Sequence, residues 1–425
     1  MHTKAFSHLK RPFVTISCFT PGNIMNQLLN NKRIVLGITG SISAYKAATL
    51  ASRLTQLGAL VDVILTRNAE KLVGAATFEG LTHRRCHVDT FADPADLSSS
   101  HVTLGSQADL VIVAPCSANM LAKIAHGIAD DKLSTTMLAV RCPILIAPAM
   151  NVFMYENAAT QANIELLKSR GMNVLEPGTG NLACGYSAKG RMPEPEDILE
   201  LALQYLAIDK CLAGKRVLVT AGATREAIDD VRCITNPSTG KMGYACARAA
   251  LMAGADVTII SANCALPPVI GAQMVSVSSA AQMKDAVCSH APNADIVIMA
   301  AAVSDFTPVS PKSGKIHKTD AELTIALKPT EDILQTLGQN KRQGQFLCGF
   351  CMETSDLIER AKLKLTAKNL DMIVANDLTV PGCGFACDTN GVTILTSDST
   401  TEYEIADKLD IAITIIQTIG RMISV

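Results

Sequence analysis

The sequence predicts an α/β protein of two tandem doubly wound, Rossmann-like domains, and three observations predict it. Short apolar runs alternate with longer stretches of helical character, the pattern of a parallel sheet wrapped by its crossover helices. The alternation begins near residue 32 and starts again near residue 214, after a polar break. With 425 residues, 48% hydrophobic and 18% charged, the chain is long enough to bury two cores.

Taken in order, residues 1–31 are expected to form a disordered extension outside the fold. Lys4, Lys10 and Arg11 beside Phe6, Phe13 and Phe19 have the charge of a presequence. No continuous apolar core or small-residue cleavage site follows them, and Met25 is an alternative start. The first domain, 32–213, opens with a buried strand at 33–38, a turn at Gly40 and a helix over 44–57. Strands at 61–66, 109–114 and 143–147 follow, then helices over 151–170, closed by Gly171, and 194–206. The polar stretch 208–215 marks the boundary. The second domain, 214–425, restarts with a strand at 215–222. Strands at 257–260, 296–300, 345–350 and 372–375 then alternate with helices at 242–253, 280–290, 331–339 and 356–368.

Composition narrows the function classes. A net charge of −1 argues against a basic nucleic-acid binder, and an aromatic content of 4% without tryptophan leaves little for a base-stacking groove. No apolar run reaches the roughly 20 residues that span a bilayer. The 14 cysteines are scattered rather than gathered in a short secreted framework, so free thiols and a cytoplasmic location are expected.

Sheets of this kind bind ligands beyond the carboxyl ends of their strands, so the loops there carry the chemistry. In the first half three such loops present small and hydroxylic residues: 37–46 with Gly40 and Ser41, 66–68 with Thr66, and 114–119 with Ser117 and Asn119. Together they favour a phosphorylated cofactor. A sharper signal is Pro-Ala-Met-Asn-Val-Phe-Met at 148–154, followed by the glycine-rich 178–185 and by Gly190-Arg191-Met192. These motifs resemble those of the flavin-containing cysteine decarboxylases. The resemblance implies FMN near Gly40, Ser41, Thr66, Ser117, Asn119 and Met120, and three catalytic residues. His101 would move protons during oxidation of the cysteinyl unit, Asn151 would hold the substrate carboxylate, and Cys184 would protonate the enethiol left after carbon dioxide departs. Each has an ordinary alternative: a surface or capping histidine, an N-cap asparagine, an inert thiol.

In the second half a strand at 217–222 and the turn Ser238-Thr-Gly-Lys241 opening a helix create an anion site from backbone donors, the helix dipole and a lysine. The turn lacks the first glycine of a Walker loop, which argues against a P-loop ATPase. With Ala-Ala-Ala-Val-Ser-Asp at 300–305, Lys-Ile-His-Lys at 315–318, Gly-Phe-Cys-Met-Glu-Thr at 349–354 and Ala-Asn-Asp at 375–377, this half resembles phosphopantothenate–cysteine ligases. Residues 32–420 as a whole are similar to the bacterial bifunctional coenzyme A biosynthesis proteins, a flavodoxin-like flavoprotein domain followed by a ligase domain. That resemblance implies a CTP site at Met299, Ala300, Ala301, Asp305, Lys315, Glu331, Asp332, Ile333, Leu334, Phe350, Lys364 and Lys368, with Asn236 handling an acyl-cytidylate. Lys315 would also take part in catalysis, and the segment 308–318 would be a flap ordered by nucleotide.

Mg²⁺ is expected mainly through the CTP phosphates. Substrates would be 4′-phosphopantothenate, cysteine and CTP, with trimeric decarboxylase domains and dimeric ligase domains building a homo-oligomer, up to a dodecamer. Lys364 and Lys368, spaced i,i+4, would face one polyphosphate; a solvated basic helix face is the alternative. Cys348, Cys351, Cys383 and Cys387 have zinc-compatible spacing, but the strand geometry around the first pair argues against convergence. Competing functions are a chain with one active half and a flavin-binding regulatory protein; the presence of His101, Asn151 and Cys184 argues against the latter.

Overall fold

The computed structural model describes residues 27–89, 100–181, 187–318, 323–353, 356–377, 383–384 and 387–424. Two compact units part between Asp209 and Lys210.

The first unit is wound on β1 (Arg33–Ile38), β2 (Leu60–Leu65), β3 (Cys86–His87), β4 (Leu110–Cys116), β5 (Ile144–Pro148) and β6 (Asn173–Val174). All pairings are parallel, in the order β3-β2-β1-β4-β5-β6. Helices on both faces exclude water from the central strands, which explains why β1 and β4 read as continuous apolar runs instead of alternating ones. The crossover helices are α1 (Lys46–Gln56), α2 (Arg67–Glu70), α3 (Ala75–Thr82), α4 (Ser100–Ser106), α5 (Ala118–His126) and α6 (Lys132–Leu138). In α1 the buried side chains Ala47, Leu50, Ala51 and Leu54 recur at helical spacing and face the sheet. Residues 27–31 belong to this unit, because Leu28 and Leu29 are buried and the Leu29 N–H donates to Leu57 O.

The helix expected over 151–170 is two helices, α7 (Val152–Glu156) and α8 (Ala158–Ser169). Asn157 separates them: its backbone is extended and its side chain accepts from the Ala159 N–H, a cap competing with continuous helix. A hairpin of β7 (Gly178–Asn181) and β8 (Ser187–Arg191) follows, then α9 (Pro195–Leu206). Glycines and lysine in place of β-branched residues hide this hairpin from a sequence reading. Cys184 lies outside the described residues.

The second unit repeats the winding. Its large sheet contains β9 (Arg216–Gly222), β12 (Asp256–Ala262), β13 (Gln273–Val277), β14 (Ile296–Met299), β17 (Phe346–Glu353), β18 (Met372–Asp377), β19 (Thr389–Thr396) and β20 (Thr400–Asp407). The order is β13-β12-β9-β14-β17-β18-β19-β20, parallel as far as β18 and antiparallel for the last two. Two short ribbons stand apart, β10 (Arg225–Ala227) with β11 (Cys233–Thr235), and β15 (Phe306–Pro308) with β16 (Leu327–Pro329). The helices are α10 (Lys241–Met252), α11 (Ala280–His290), α12 (Ile333–Gln339), α13 (Leu357–Ala367) and α14 (Lys408–Ile423). Strands β19 and β20 and helix α14 were not anticipated. Polar residues fill most of β20, which lies at the sheet edge, so it lacks the apolar run that marks the central strands. Among the described residues no helix is long and apolar enough to cross a membrane, and no group of three His, Cys, Asp or Glu is placed to hold a metal.

Candidate functional site

Each unit carries a cleft beyond the carboxyl ends of its strands. In the first, two neighbouring strand ends are tied together by one side chain. Thr39 donates its hydroxyl to Pro115 O at 2.8 Å, and the Ser117 N–H donates to Thr39 Oγ1 at 2.8 Å. This holds the turn after β1 beside the N-terminus of α5, where the strand order reverses. The cleft there has a volume of about 490 Å³. Its floor includes Gly40 and Ser41 from the first turn, Ser117 from the second, and Met150 and Asn151 from the turn after β5. A Cβ at Gly40 would lie 2.6 Å from Asn68 Cβ, so only glycine lets this turn pack so closely.

Asn151 caps α7, its Oδ1 accepting from the Phe153 N–H at 2.9 Å. The β8 strand is pinned to the same turn: the Met150 N–H donates to Gly190 O at 3.1 Å, and Gly190 has a φ of 144°. That brings Arg191 and Met192 into the lining, together with Lys46, whose ammonium pairs with Glu194 at 2.6 Å. Sequence reasoning assigned no role to Lys46 or Tyr45, although both sit in the loop it singled out. The lining is apolar and exposed at Ile42, Tyr45 and Met154.

The remaining residues expected around this cleft do not line it. Thr66 caps α2, accepting from the Ala69 N–H at 3.3 Å. Asn119 is exposed, and Met120 is 1% exposed within the hydrophobic core. His101 is half-buried on α4, outside the lining.

The second cleft, of about 580 Å³, gathers most of the residues expected of it. Its frame is a tight crossing. Gly240, with a φ of 82°, caps α10, and a Cβ there would stand 2.3 Å from Cys264 Sγ. Gly243 leaves no space either, its Cβ falling 2.6 Å from Ala221 Cβ, so the N-terminus of α10 lies directly on β9. On the opposite wall, Asn236 reaches across to the carbonyls of Ala302 and Val303 at 3.3 and 3.4 Å.

Met299, Ala300, Ala301, Asp305, Glu331, Asp332, Ile333, Leu334, Phe350, Lys364 and Lys368 all line this cleft. Asp332 caps α12 and meets the Lys368 ammonium at 2.7 Å. Burial alone would raise its carboxyl, but the hydrogen bonds from Lys368 and the Gln335 N–H outweigh that and hold it below the ordinary carboxylate range. Lys364 and Lys368 therefore share a face turned to the cleft, each half-buried.

Lys315 is exposed and lies away from the lining. The stretch around it is tied to the loop after β10. The Gly314 N–H donates to Asp230 at 2.7 Å, the Ile316 N–H to Asp229 at 3.0 Å, and Arg232 to Ile316 O at 2.9 Å. Lys241, the lysine of the anion site expected at the turn 238–241, also lines the cleft, as do three residues that sequence reasoning quoted without a role or passed over: Asn376, Asn390 and Lys408. The last two are an asparagine near the start of β19 and the lysine that opens α14, and neither stands out locally in the sequence.

Comparison with known proteins follows this division. A model of the flavoprotein family matches residues 23–207, and one of the DNA/pantothenate metabolism flavoprotein C-terminal domain matches residues 212–422. The coenzyme A biosynthesis bifunctional protein CoaBC of Bacillus subtilis is 47% identical over 399 residues, covering 93% of this chain and 98% of that one. The protein of the same description from Mycobacterium tuberculosis is 44% identical over 384 residues, covering 87% and 91%. A crystal structure of the C-terminal domain of a CoaBC protein is 40% identical, covers 51% of this chain and 99% of that one, and superposes with a TM-score of 0.43.

Proposed function

This chain belongs to the family of coenzyme A biosynthesis bifunctional proteins, and from that premise we propose how its two clefts divide the work. The enzyme is both a decarboxylase and a ligase of coenzyme A biosynthesis. In our reading the second unit ligates 4′-phosphopantothenate to cysteine, and the first decarboxylates the product to 4′-phosphopantetheine.

In the ligase half, the acid's carboxylate attacks the α-phosphorus of CTP, releasing pyrophosphate and leaving an acyl-cytidylate. The amine of cysteine then displaces CMP to form the amide. A carboxylate is a poor electrophile, and the nucleotide ester supplies its leaving group. The cleft's part is positioning and charge neutralisation. Lys364 and Lys368 face the polyphosphate, which carries Mg²⁺ with it. The strand end 299–301, Asp305 and the turn 331–334 hold the nucleoside beside Phe350. Asn236 stands where the acyl-cytidylate would form, and Lys315 would have to approach from its anchored loop. One observation carries this reading: residues from five separate segments of sequence surround one cavity.

In the decarboxylase half, the small-residue turns at Gly40, Ser41 and Ser117 leave room for a flavin phosphate at the N-terminus of α5, and the cleft has the volume of a cofactor site. The family's flavin, FMN in this reading, supplies a reversible two-electron sink next to the substrate. The chain's own residues do the rest. The Asn151 amide, its oxygen already fixed by the cap, presents its NH₂ to the substrate carboxylate. Cys184 returns a proton to the enethiol carbon. His101 lies outside the cleft of its own copy, so a trimer in which a neighbouring copy covers the apolar rim would have to deliver it. Dimeric ligase halves and a cytoplasmic location complete the reading.

The test is to supply the purified, FMN-loaded full chain with 4′-phosphopantothenate, cysteine and either CTP or ATP. CMP and pyrophosphate should appear with CTP, and carbon dioxide should follow. Absence of CMP with both substrates present would overturn the ligase assignment; carbon dioxide release without any bound flavin would overturn the decarboxylase one.

A further inference from the structure

We propose that Thr224 is a positioning residue of the ligation step, holding the Asn236 amide in its place in the cleft; the assignment rests on the ligase reading. Thr224 lies in the turn between β9 and β10, is 0% exposed and does not line the cleft. Its backbone and side chain are nevertheless bonded to two segments that do. Its N–H donates to Ala302 O at 3.3 Å, its hydroxyl oxygen accepts from the Ser304 N–H at 2.9 Å, and its carbonyl accepts from the Thr235 hydroxyl at 2.8 Å.

These bonds close a ring around Asn236. The NH₂ of Asn236 reaches Ala302 O and Val303 O, and both carbonyls lie within the stretch that Thr224 grips at Ala302 and Ser304. Thr235, the residue just before Asn236, is the one tied to the Thr224 carbonyl. The Val303 carbonyl and the Ser304 N–H belong to one planar peptide unit, so the hydroxyl that receives the N–H also aims the carbonyl at Asn236. Without that acceptor the N–H of Ser304, a buried residue, must turn to find another, and the carbonyl turns with it.

The far end of the same loop is held separately. The Thr330 hydroxyl donates to Ser304 O at 2.6 Å, and the Thr330 N–H donates to Asp305 O at 2.9 Å. Asp305, on the side given to the nucleotide, keeps these anchors when Thr224 loses its hydroxyl. A change at Thr224 is therefore felt at Asn236, in the chemical step, and not in nucleotide binding.

The experiment measures CMP release by the FMN-loaded full chain from 4′-phosphopantothenate, CTP and cysteine. Thr224→Val, isosteric but without the acceptor, should lower kcat about 10- to 100-fold with the KM for CTP within about threefold. Thr224→Ser should restore most of the rate. A merely structural residue would cost the same in any background, whereas one acting through Asn236 has nothing to position once that amide is gone. Added to Asn236→Ala and followed through a single turnover with enzyme in excess, Thr224→Val should change the rate less than about twofold. Unchanged kcat in Thr224→Val, a rise confined to the KM for CTP, or equal losses in both backgrounds would overturn the assignment.

Thr224 is buried, so the second variant is placed at Thr235, which is exposed. Thr235→Val removes the hydroxyl that reaches Thr224 O and should lower kcat about three- to tenfold, again only while Asn236 is present. An unaltered kcat there would overturn the assignment even if Thr224→Val does not fold. A wild-type chain that releases no CMP would sink the ligase reading and this assignment with it. A wild-type chain that turns over beside an unimpaired Thr224→Val would sink the assignment alone.

Discussion

The first unit winds its sheet β3-β2-β1-β4-β5-β6, and the second winds β13-β12-β9-β14-β17-β18 before adding two antiparallel strands. In both, the cleft lies past the ends of the first strand and its later neighbour, where glycines bring backbone against backbone. The difference is in what is attached beyond that common frame. The first sheet ends in a two-residue strand, and the β7–β8 hairpin folds back only as far as the Asn151 turn, leaving apolar side chains such as Met154 exposed in the cleft. The second continues into β19, β20 and α14, which wall its cleft with Asn390 and Lys408. One winding thus frames an apolar-rimmed cleft in one half and a more polar one in the other, because appended elements set the polarity while the switch point sets the place.

The sharpest way to break that comparison is to damage one cleft chemically without disturbing its frame. Asn151→Asp keeps the α7 cap, since aspartate caps as well as asparagine. It replaces an NH₂ donor by a charge, which in the proposed reading faces the substrate carboxylate. Decarboxylation should fall by about 100-fold or more, roughly 3 kcal/mol of transition-state stabilisation, while CTP-dependent ligation by the same sample is unchanged. Equal loss of both activities would mean that the variant misfolds or that the clefts are not independent.

The converse is to damage the frame of the second cleft. Gly240→Ala forces a side chain into the left-handed region and sets its Cβ against Cys264 Sγ. Unfolding of the second unit should become easier by about 1–3 kcal/mol, with ligation lost in proportion and decarboxylation retained. Calorimetry on the full chain, read for two transitions, checks it; an unchanged profile would show that the α10 N-terminus tolerates displacement.

How far these sites were legible in the sequence depends on where each residue's evidence resides. Strands buried on both faces announce themselves as apolar runs, so β1, β9 and β14 were readable, and with them the turns at Gly40 and Gly240. Motif spacing located Asn151, Asp332 and Lys368 because each lies in a loop or on a helix next to such a strand. Lys408 and Asn390 were missed because their places in the cleft arise from the antiparallel pairing of β19 with β20 and the helix that follows it, and no local pattern encodes that pairing. Met120, three residues after the cleft residue Ser117, places its side chain in the core, so the motif spacing that picks out Ser117 says nothing of where the Met120 side chain lies.

Lys315 offers a milder test of the second cleft. Exposed and outside the lining, it can reach the nucleotide only if its loop moves. Lys315→Gln should therefore raise the KM for CTP about three- to tenfold, leaving decarboxylation and the KM for cysteine unchanged. A kcat loss with unaltered CTP affinity would assign it a role in the chemical step instead.

The smallest effect concerns what anchors that loop. Asp229 accepts from the backbone of Ile316 first, then from Val231 and Arg232 and from the Arg232 side chain, and these bonds depress its carboxyl from 3.8 to about 2. A carboxyl lowered on folding stabilises the native state fully above its unfolded pKa, and that contribution disappears as pH falls through the folded value. The stability difference between wild type and Asp229→Asn should therefore be constant from neutral pH down to about 5, shrink between about 4 and 2, and vanish below. Amide hydrogen exchange at Gly314 and Ile316 should quicken in the variant at neutral pH, with the first unit unaffected. A difference that grew on acidification would reverse the sign of the anchor and show that the loop is held by Asp230 or Arg232 contacts alone.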